Sequence, residues 1–426
     1  MMKNRGLLFF ILLFTGLFIS SCFIPTPVAN KDYAHLYTQK SLKIEPIYKV
    51  YHLTNTKSRL YFFTRSEKLL FAKPIDADSL QSRVTVHYRL FSSSSSSVLL
   101  DSATVLFKHS KPIADRIFTD SITFLSNLGN DYVLELIIRD LNRKEEFEDV
   151  LNIDKTKNSN EQFFLLKQNG NVIHNRFNVR PNDKISLSYF DTTLTELTVK
   201  AFTHEFPIAI PPFSEMHDLD YALKFDSLYT IKKSFKPLFS FTINKEGYYF
   251  IKTDTAQYKG FGFYSYNESF PGFASFDEMI GPLRYLTTRN EFETLIQSKD
   301  SKISIDKFWL ELSGNKERAR ELIKQYYSRV QNANYYFTSY KEGWKTDRGM
   351  IYIIFGSPNF VTRNGNIESW TYGEQNNYRS LNFFFSNQQK SMNSNDYKLE
   401  RNPLFKDDWM QAIDVWRQGR VYNPYN

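Results

Sequence analysis

Cysteine is almost absent from this chain: one residue of 426, Cys22, carries a thiol. No disulfide can form within the chain and no thiolate metal site can be assembled, so the fold rests on apolar burial alone. A chain of roughly 400 residues can build two or three such cores. Histidine is scarce and unevenly placed. All seven histidines lie at or before His217, without an H-E-x-x-H pattern or a close pair, and His204 and His217 fall in loops. The chain after His217 therefore lacks the parts for a Ser-His-Asp triad or a His-based metal site. No cofactor and no metal is expected. The apolar run Leu7–Ile19 is thirteen residues, short of the roughly 20 that a membrane-spanning helix takes. No stripe of one charge sign occurs either. The net charge of +8 comes from Lys and Arg interleaved with Asp and Glu, which excludes a nucleic-acid footprint.

What is present begins with a location signal. Lys3 and Arg5 precede the apolar run, which ends in Ile19-Ser20-Ser21-Cys22. A basic start and a short apolar stretch make a signal peptide over residues 1–21. The two small residues before the lone cysteine resemble a bacterial lipobox, with Ile19 where Leu is commoner. The resemblance implies cleavage before Cys22 and acylation of that residue, and several acyl chains hold a protein lastingly on a membrane. Phe23, in place of Asp, and the lack of an acidic run after Cys22 imply the periplasmic face of the outer membrane. Residues 22–43 read as a tether.

Aromatics make up 17% of the chain, a composition that suits β-rich packing. From Ile44 to about Ile153, short alternating segments such as "SRLYFFT", "SRVTVHYRLF" and "DYVLELIIRDL" are spaced by Ser, Asn, Asp and Gly. They predict an immunoglobulin-like β-sandwich over residues 44–157, with Ser92–Ser97 as a hairpin tip. A second strand-rich block predicts another sandwich over 158–271. "GNDYVLELIIRD" (Gly129–Asp140) and "KEGYYFIKTD" (Lys245–Asp254) read as an internal repeat, each bringing a Tyr into a late strand after a turn. "FPIAIPPF" (Phe206–Phe213) is a proline-rich loop and a candidate partner-docking segment.

From residue 272 to 426 the period changes from two to 3.6, and the pattern predicts an α+β domain of helices followed by a small antiparallel sheet. "LTTRNEFETLIQ" and "SIDKFWLEL" are short helices, the second opened by Ser304. Residues 315–337 form a long helix capped by Asn315, with Ala319, Leu322, Ile323, Tyr326, Tyr327, Val330, Ala333 and Phe337 on one face. After it comes "GWKTDRGMIYIIFGSP", from Gly343 to Pro358. Gly343 is read as the positive-φ stop after the helix, Thr346-Asp347-Arg348-Gly349 as a turn in which Asp347 accepts local backbone N–H groups, and Arg348 as a fork for a carboxylate. Met350–Phe355 is read as a central strand and Gly356-Ser357-Pro358 as the turn closing it. The stretch is not a phosphate loop: no Lys-Ser/Thr follows a glycine loop.

Gly343-Trp344-Lys345-Thr346-Asp347 resembles the signature of the GWxTD-domain family, found largely in Bacteroidetes and relatives. The resemblance extends through Arg348-Gly349, Gly356-x-Pro358 and Trp370-x-Tyr372, takes in Phe308-Trp309 and "YYSRVQNANYYF" upstream, and covers about residues 276–385. It implies no settled activity. A helical pair, a G-x-P turn, W-x-Y and an apolar strand also resemble small lipoproteins of the barrel-assembly machinery, except that here the G-x-P is expected after a strand.

Three functions follow as expectations. The first is a non-enzymatic envelope lipoprotein in which two sandwiches hold the last domain away from the membrane, where it binds a protein partner of outer-membrane assembly or secretion. Its contact residues are Gly343, Trp344, Thr346, Asp347, Arg348, Gly349, Gly356, Pro358, Trp370 and Tyr372. The second is a glycan- or peptidoglycan-binding lipoprotein using Trp344 and Trp370 as a platform. The third is a hydrolase using carboxylates among Glu342, Asp347 and Glu368; a turn Asp beside Arg more commonly serves structure. Finally, Asp-Ser/Thr followed by an apolar residue or Thr resembles the O-glycosylation sequon of exported Bacteroidetes proteins. It occurs at Ser79, Ser102, Ser121, Thr192, Ser227 and Thr255, although Asp-Ser and Asp-Thr are also common turn openings.

Overall fold

The computed structural model describes residues 32–37, 44, 46–74, 78–92, 98–157, 159–174, 179–215, 224–234, 238–253, 259–364, 366–387 and 392–423. The signal segment, Cys22, the hairpin tip, His217 and Thr255 lie outside the described residues. Most of the chain is antiparallel β-sheet, followed by a C-terminal region of helices and a small sheet.

The first β unit has seven strands: β1 (Ile47–Thr54), β2 (Lys57–Arg65), β3 (Gln81–Phe91), β4 (Leu99–Ser110), β5 (Ile117–Leu125), β6 (Asp131–Asp140) and β7 (Glu145–Asp154). They form one sheet ordered β1-β2-β5 and another ordered β4-β3-β6-β7. Alternation decides which side chains meet. Leu60 and Phe62 from the first sheet share a core with Val84, Val86, Leu134, Leu136 and Ile138 from the second.

The second unit has β8 (Phe164–Gln168), β9 (Asn171–Val172), β10 (Lys184–Tyr189), β11 (Glu196–Phe202), β12 (Ser227–Lys232), β13 (Leu238–Thr242), β14 (Gly247–Lys252) and β15 (Phe261–Ser265). Its sheets run β13-β10-β8-β9 and β12-β11-β14-β15. Apart from the short β9, this is the same connectivity as in the first unit. The two repeat segments therefore fall on equivalent strands, β6 and β14. Tyr132 Oη accepts from Asn127 N at 2.8 Å, and Tyr249 Oη donates to Lys245 O at 2.8 Å, so each tyrosine ties its strand to the turn before it.

The two units meet at a polar joint. Lys155 is fully buried and donates Nζ to Thr54 O (2.6 Å), Ser126 O (2.8 Å) and Lys57 O (3.2 Å). Burial pushes its ammonium pKa down to about 8. His52 Nδ1 lies 2.7 Å from Ser58 Oγ, and burial pushes the imidazole down to about 4. Lys259, just ahead of β15, reaches Asp154 at 2.6 Å.

The C-terminal region carries α1 (Phe276–Ile280), α2 (Arg289–Ile296), α3 (Ser301–Ser313), α4 (Lys316–Phe337), α5 (Asp347–Phe355), four strands β16 (Phe360–Asn364), β17 (Ile367–Tyr372), β18 (Leu381–Asn387) and β19 (Tyr397–Leu399), and α6 (Phe405–Arg417). The strands form one meander, β16-β17-β18-β19. Caps set the helix starts: Thr288 and Glu291 make a capping box on α2, and Asn315 caps α4. The third helix starts at Ser301 rather than Ser304, because Asp300 accepts from Ile303 N. The stretch Met350–Phe355 is helix, not strand. All nine residues of α5 are buried, so polar alternation never marks its period.

The tether is not free over its whole length. Residues 32–37 are seated in the C-terminal region: Tyr33 N donates to Val361 O (2.7 Å), Val361 N donates to Asp32 Oδ1 (3.0 Å), and Tyr33 and Tyr37 are buried. The segment thus packs in the core of the C-terminal region, with Val150 of β7 against the same cluster. The Phe206–Phe213 loop is likewise occupied from within. Ala209 N donates to Lys345 O (2.9 Å), Lys341 Nζ to Pro207 O (3.0 Å), and Arg401 Nη2 to Ile210 O (3.2 Å).

Candidate functional site

The Gly343–Pro358 stretch is a folded knot beneath the surface. Thr338 Oγ1 donates to Asn334 O (2.6 Å) and accepts from Gly343 N (2.9 Å), so the last turn of α4 holds the incoming loop. Asn334 Oδ1 accepts from Trp344 N at 3.1 Å. Gly343 is required by contact and not by a positive φ: a Cβ there would sit 1.8 Å from Ala333 O. The same holds at Gly349, whose Cβ would sit 1.8 Å from Gly343 O. Two glycines thus let the loop touch α4 and α5 touch the loop. Trp344 is half-buried, stands edge-on to Tyr285 at 6.3 Å, and receives Tyr285 Oη on its carbonyl at 2.8 Å. Lys345 is buried and pairs with Glu342 at 2.8 Å and with Glu205.

Thr346 is a helix cap and not a turn residue. Its Oγ1 accepts from Gly349 N (3.0 Å) and donates to Gly343 O (2.7 Å), starting α5. Asp347 sits in the first turn, where the helix dipole favours an anion. It accepts from Leu399 N at 2.9 Å and from Arg401 Nη2 at 2.6 Å, so its partners are more than fifty residues away and not local. Burial would raise its pKa, but Arg401, Lys398 and the Leu399 amide outweigh that and hold the carboxyl below its usual range. At the other end of α5, Arg329 donates to Ile353 O (3.1 Å), Ile354 O (3.0 Å) and Tyr422 O (2.7 Å). It thereby satisfies carbonyls that the helix end leaves open. Gly356 closes the helix at φ +87°, its carbonyl accepting from Tyr372 Oη at 2.8 Å, and Pro358 is buried just beyond.

The centre of the knot is a carboxylate outside the signature. Glu368, on β17, is fully buried and accepts from Tyr37 Oη (2.9 Å), Arg363 Nε (2.9 Å), Trp370 Nε1 (2.8 Å) and Arg348 Nη1 (3.2 Å). Arg348 also donates to Asn395 and lies over the Tyr397 ring at 4.1 Å. Burial works to raise the Glu368 pKa, yet the two guanidinium groups and the Trp370 and Tyr37 donors prevail and hold it at about 2. Arg348 does not fork onto one carboxylate: Nη1 meets Glu368 and Nη2 goes to Asn395. The partners Tyr37 and Arg363 carry no local signal. Glu368, two residues before Trp370 in a strand, faces the same side as that indole by period two.

This arrangement restricts the chemistry. Asp347 and Glu368 are both ionised and both engaged by guanidinium groups, so neither is a general acid with a raised pKa. Trp370 is fully buried and packs on Phe337, Tyr37 and Phe385, which removes it from any glycan platform. Of the expected contact residues, Gly343, Thr346, Asp347, Arg348, Gly349, Gly356, Pro358, Trp370 and Tyr372 are buried and Trp344 is half-buried. They cannot form a contact surface directly; they fix the shape of the elements around them. Among the described residues, no group of three or more His, Cys, Asp or Glu side chains is placed to hold a metal ion. The sequon hydroxyls Ser79, Ser102, Ser121, Thr192 and Ser227 are all exposed.

Residues 247–418 match the family model of the GWxTD domain. The match opens at β14, inside the second β unit, where Tyr248 and Phe250 join a core cluster with Phe206 and Tyr340. No curated protein matches the chain. Among solved structures, a glycosyl hydrolase family 2 member from Bacteroides cellulosilyticus is 10% identical, the match covering 33% of this chain and 17% of that one at a TM-score of 0.18. A red sea bream transglutaminase is 8% identical over 54% of this chain and 32% of its own, also at 0.18. The chain thus covers less than two thirds of either protein, and similarity this slight assigns neither fold nor activity.

Proposed function

We propose that this GWxTD-domain chain is a non-enzymatic lipoprotein of the cell envelope, anchored through Cys22 to the periplasmic face of the outer membrane. It acts as a scaffold for a protein partner in outer-membrane assembly or secretion. The two β units are immunoglobulin-like sandwiches in this reading, supported by their shared strand order and by the tyrosine that closes each late strand onto its turn.

The observation that carries the proposal is the fate of the signature. Its charged members are buried, paired and bonded to backbone, which is the chemistry of a fixed shape and not of turnover. A second observation supports the assembly setting. The Gly356-x-Pro358 turn follows helix α5 and leads into a β meander, in the order found in the small barrel-assembly lipoproteins. Affinity purification from membranes solubilised in several mild detergents tests the reading. A partner of the envelope should co-purify in stoichiometric amount, and recovery of the protein alone in every detergent refutes it.

A further inference from the structure

The seat of residues 32–37 fixes where an anchor at Cys22 can be. Tyr33 and Asp32 bond to Val361 on the outer edge of β16, and Tyr37 Oη is locked on Glu368. Asp32 lies ten positions after Cys22. At full extension that chain spans at most about 36 Å. The β16 edge therefore stays within that distance of whatever holds Cys22, and so does the neighbouring part of β7, whose Val150 packs on the same core.

The meander presents two different faces. Its inner face carries Val361, Glu368, Trp370, Tyr372 and Phe383 onto α5 and the core. Its outer face over β16–β18 has no charged side chain. Thr362 stands opposite Ser369, Ser369 opposite Phe384, and Thr371 opposite Asn382. Ile367 is 51% and Phe384 45% exposed. At the tip between β17 and β18, Tyr378 projects into solvent, its hydroxyl taking Arg379 Nε at 2.9 Å. Side chains that hydrogen-bond without charge, two exposed apolar groups and a tyrosine–arginine tip match the headgroup zone of a bilayer. There charges lose hydration, while aromatic rings with polar ends are favoured.

We propose that the outer face of β16–β18 is the surface on which this protein rests against its membrane. The proposal rests on the lipoprotein reading of Cys22. The acyl chains supply the affinity; the face sets the orientation. The family domain is then the membrane-proximal part, and any partner meets it at the bilayer surface.

The test is hydroxyl-radical footprinting of the mature full-length chain on phosphatidylethanolamine–phosphatidylglycerol vesicles, against the Cys22→Ala chain in solution, with intact mass read on the same samples. Oxidation of Phe384, Ile367 and Tyr378 should slow several-fold on vesicles, while Leu99 and Ile113 in the first β unit stay unchanged. A Ser369→Glu variant, which keeps the fold because the position faces outward, should return Phe384 toward its rate in solution. An acylated, vesicle-bound chain whose Phe384 is unprotected overturns the orientation and leaves the anchor standing. An unacylated chain that stays in the supernatant overturns both. Protection that appears without vesicles and grows with protein concentration means that a second copy covers the face, and it also overturns the proposal.

Discussion

Glu368→Gln is the most informative single change in this protein. The carboxylate is fully buried and accepts from four donors, two of them guanidinium groups. Glutamine keeps the shape but removes the charge and turns an amide NH₂ toward donors. Removing one partner of a buried ionic cluster costs about 3–5 kcal/mol, because the charges left behind stay buried. All five tryptophans lie between Trp309 and Trp416, so their fluorescence reports the C-terminal region alone. With a urea slope of about 2 kcal/mol/M, the midpoint of that signal should fall by about 2 M. The pH dependence supplies a second signature. A carboxyl held at about 2 in the folded protein, below its usual 4.5, stabilises the fold fully above pH 4.5. That contribution is lost as pH falls from 4.5 toward 2. The gap between wild type and variant should therefore narrow across that window. A gap below about 1 kcal/mol at pH 7, or one that does not change between pH 5 and 2.5, refutes the claim that this carboxylate holds the knot together.

Three further outcomes follow from the same geometry. Gly343→Ala drives a methyl group into Ala333 O and should destabilise the C-terminal region by about 3 kcal/mol or more, or abolish its folded tryptophan spectrum, whereas Gly129→Ala, which strains a φ of +91° in the first β unit, should leave that spectrum intact. Tyr37→Phe removes the hydroxyl that meets Glu368 and should lower the same urea midpoint by about 1–2 kcal/mol equivalent; an unchanged midpoint would show that the N-terminal segment is not part of this core. His52, held neutral at about 4 against an ordinary 6.5, makes the first β unit lose stability as pH falls from 6.5 to 4, because the unfolded chain takes up the proton first. Amide exchange of peptides spanning β1 and β2 should quicken across that window, and His52→Gln should flatten the response.

The architecture was legible wherever one face of an element meets water. The strands from β1 to β6 announce themselves by alternation, and α4 by its apolar stripe and Asn315 cap. The passage from strands to helices after residue 272 follows from where the period changes. Legibility failed where burial is complete. Met350–Phe355 reads as a strand because nothing polar marks its turn, although Thr346 followed by Asp347 is a helix start in plain view. The signature's residue types were recognised, but their partners Glu368, Arg401 and Tyr37 are separated from them by tens to hundreds of positions. No local rule reaches that far. Gly343 reads through its backbone angle when the operative fact, there as at Gly349, is how near another segment of chain passes.

Tyr37 and Glu368 are 331 positions apart in the chain. A polypeptide made from its beginning must wait for most of its length to emerge before that bond can form. Until then, the place meant for Tyr33 and Tyr37 is empty or not yet made. Closure of the first segment onto the last domain thus registers that synthesis has finished. A product cut short anywhere before β17 has no Glu368 to offer, keeps its aromatic beginning unseated, and is distinguishable from the whole by limited proteolysis.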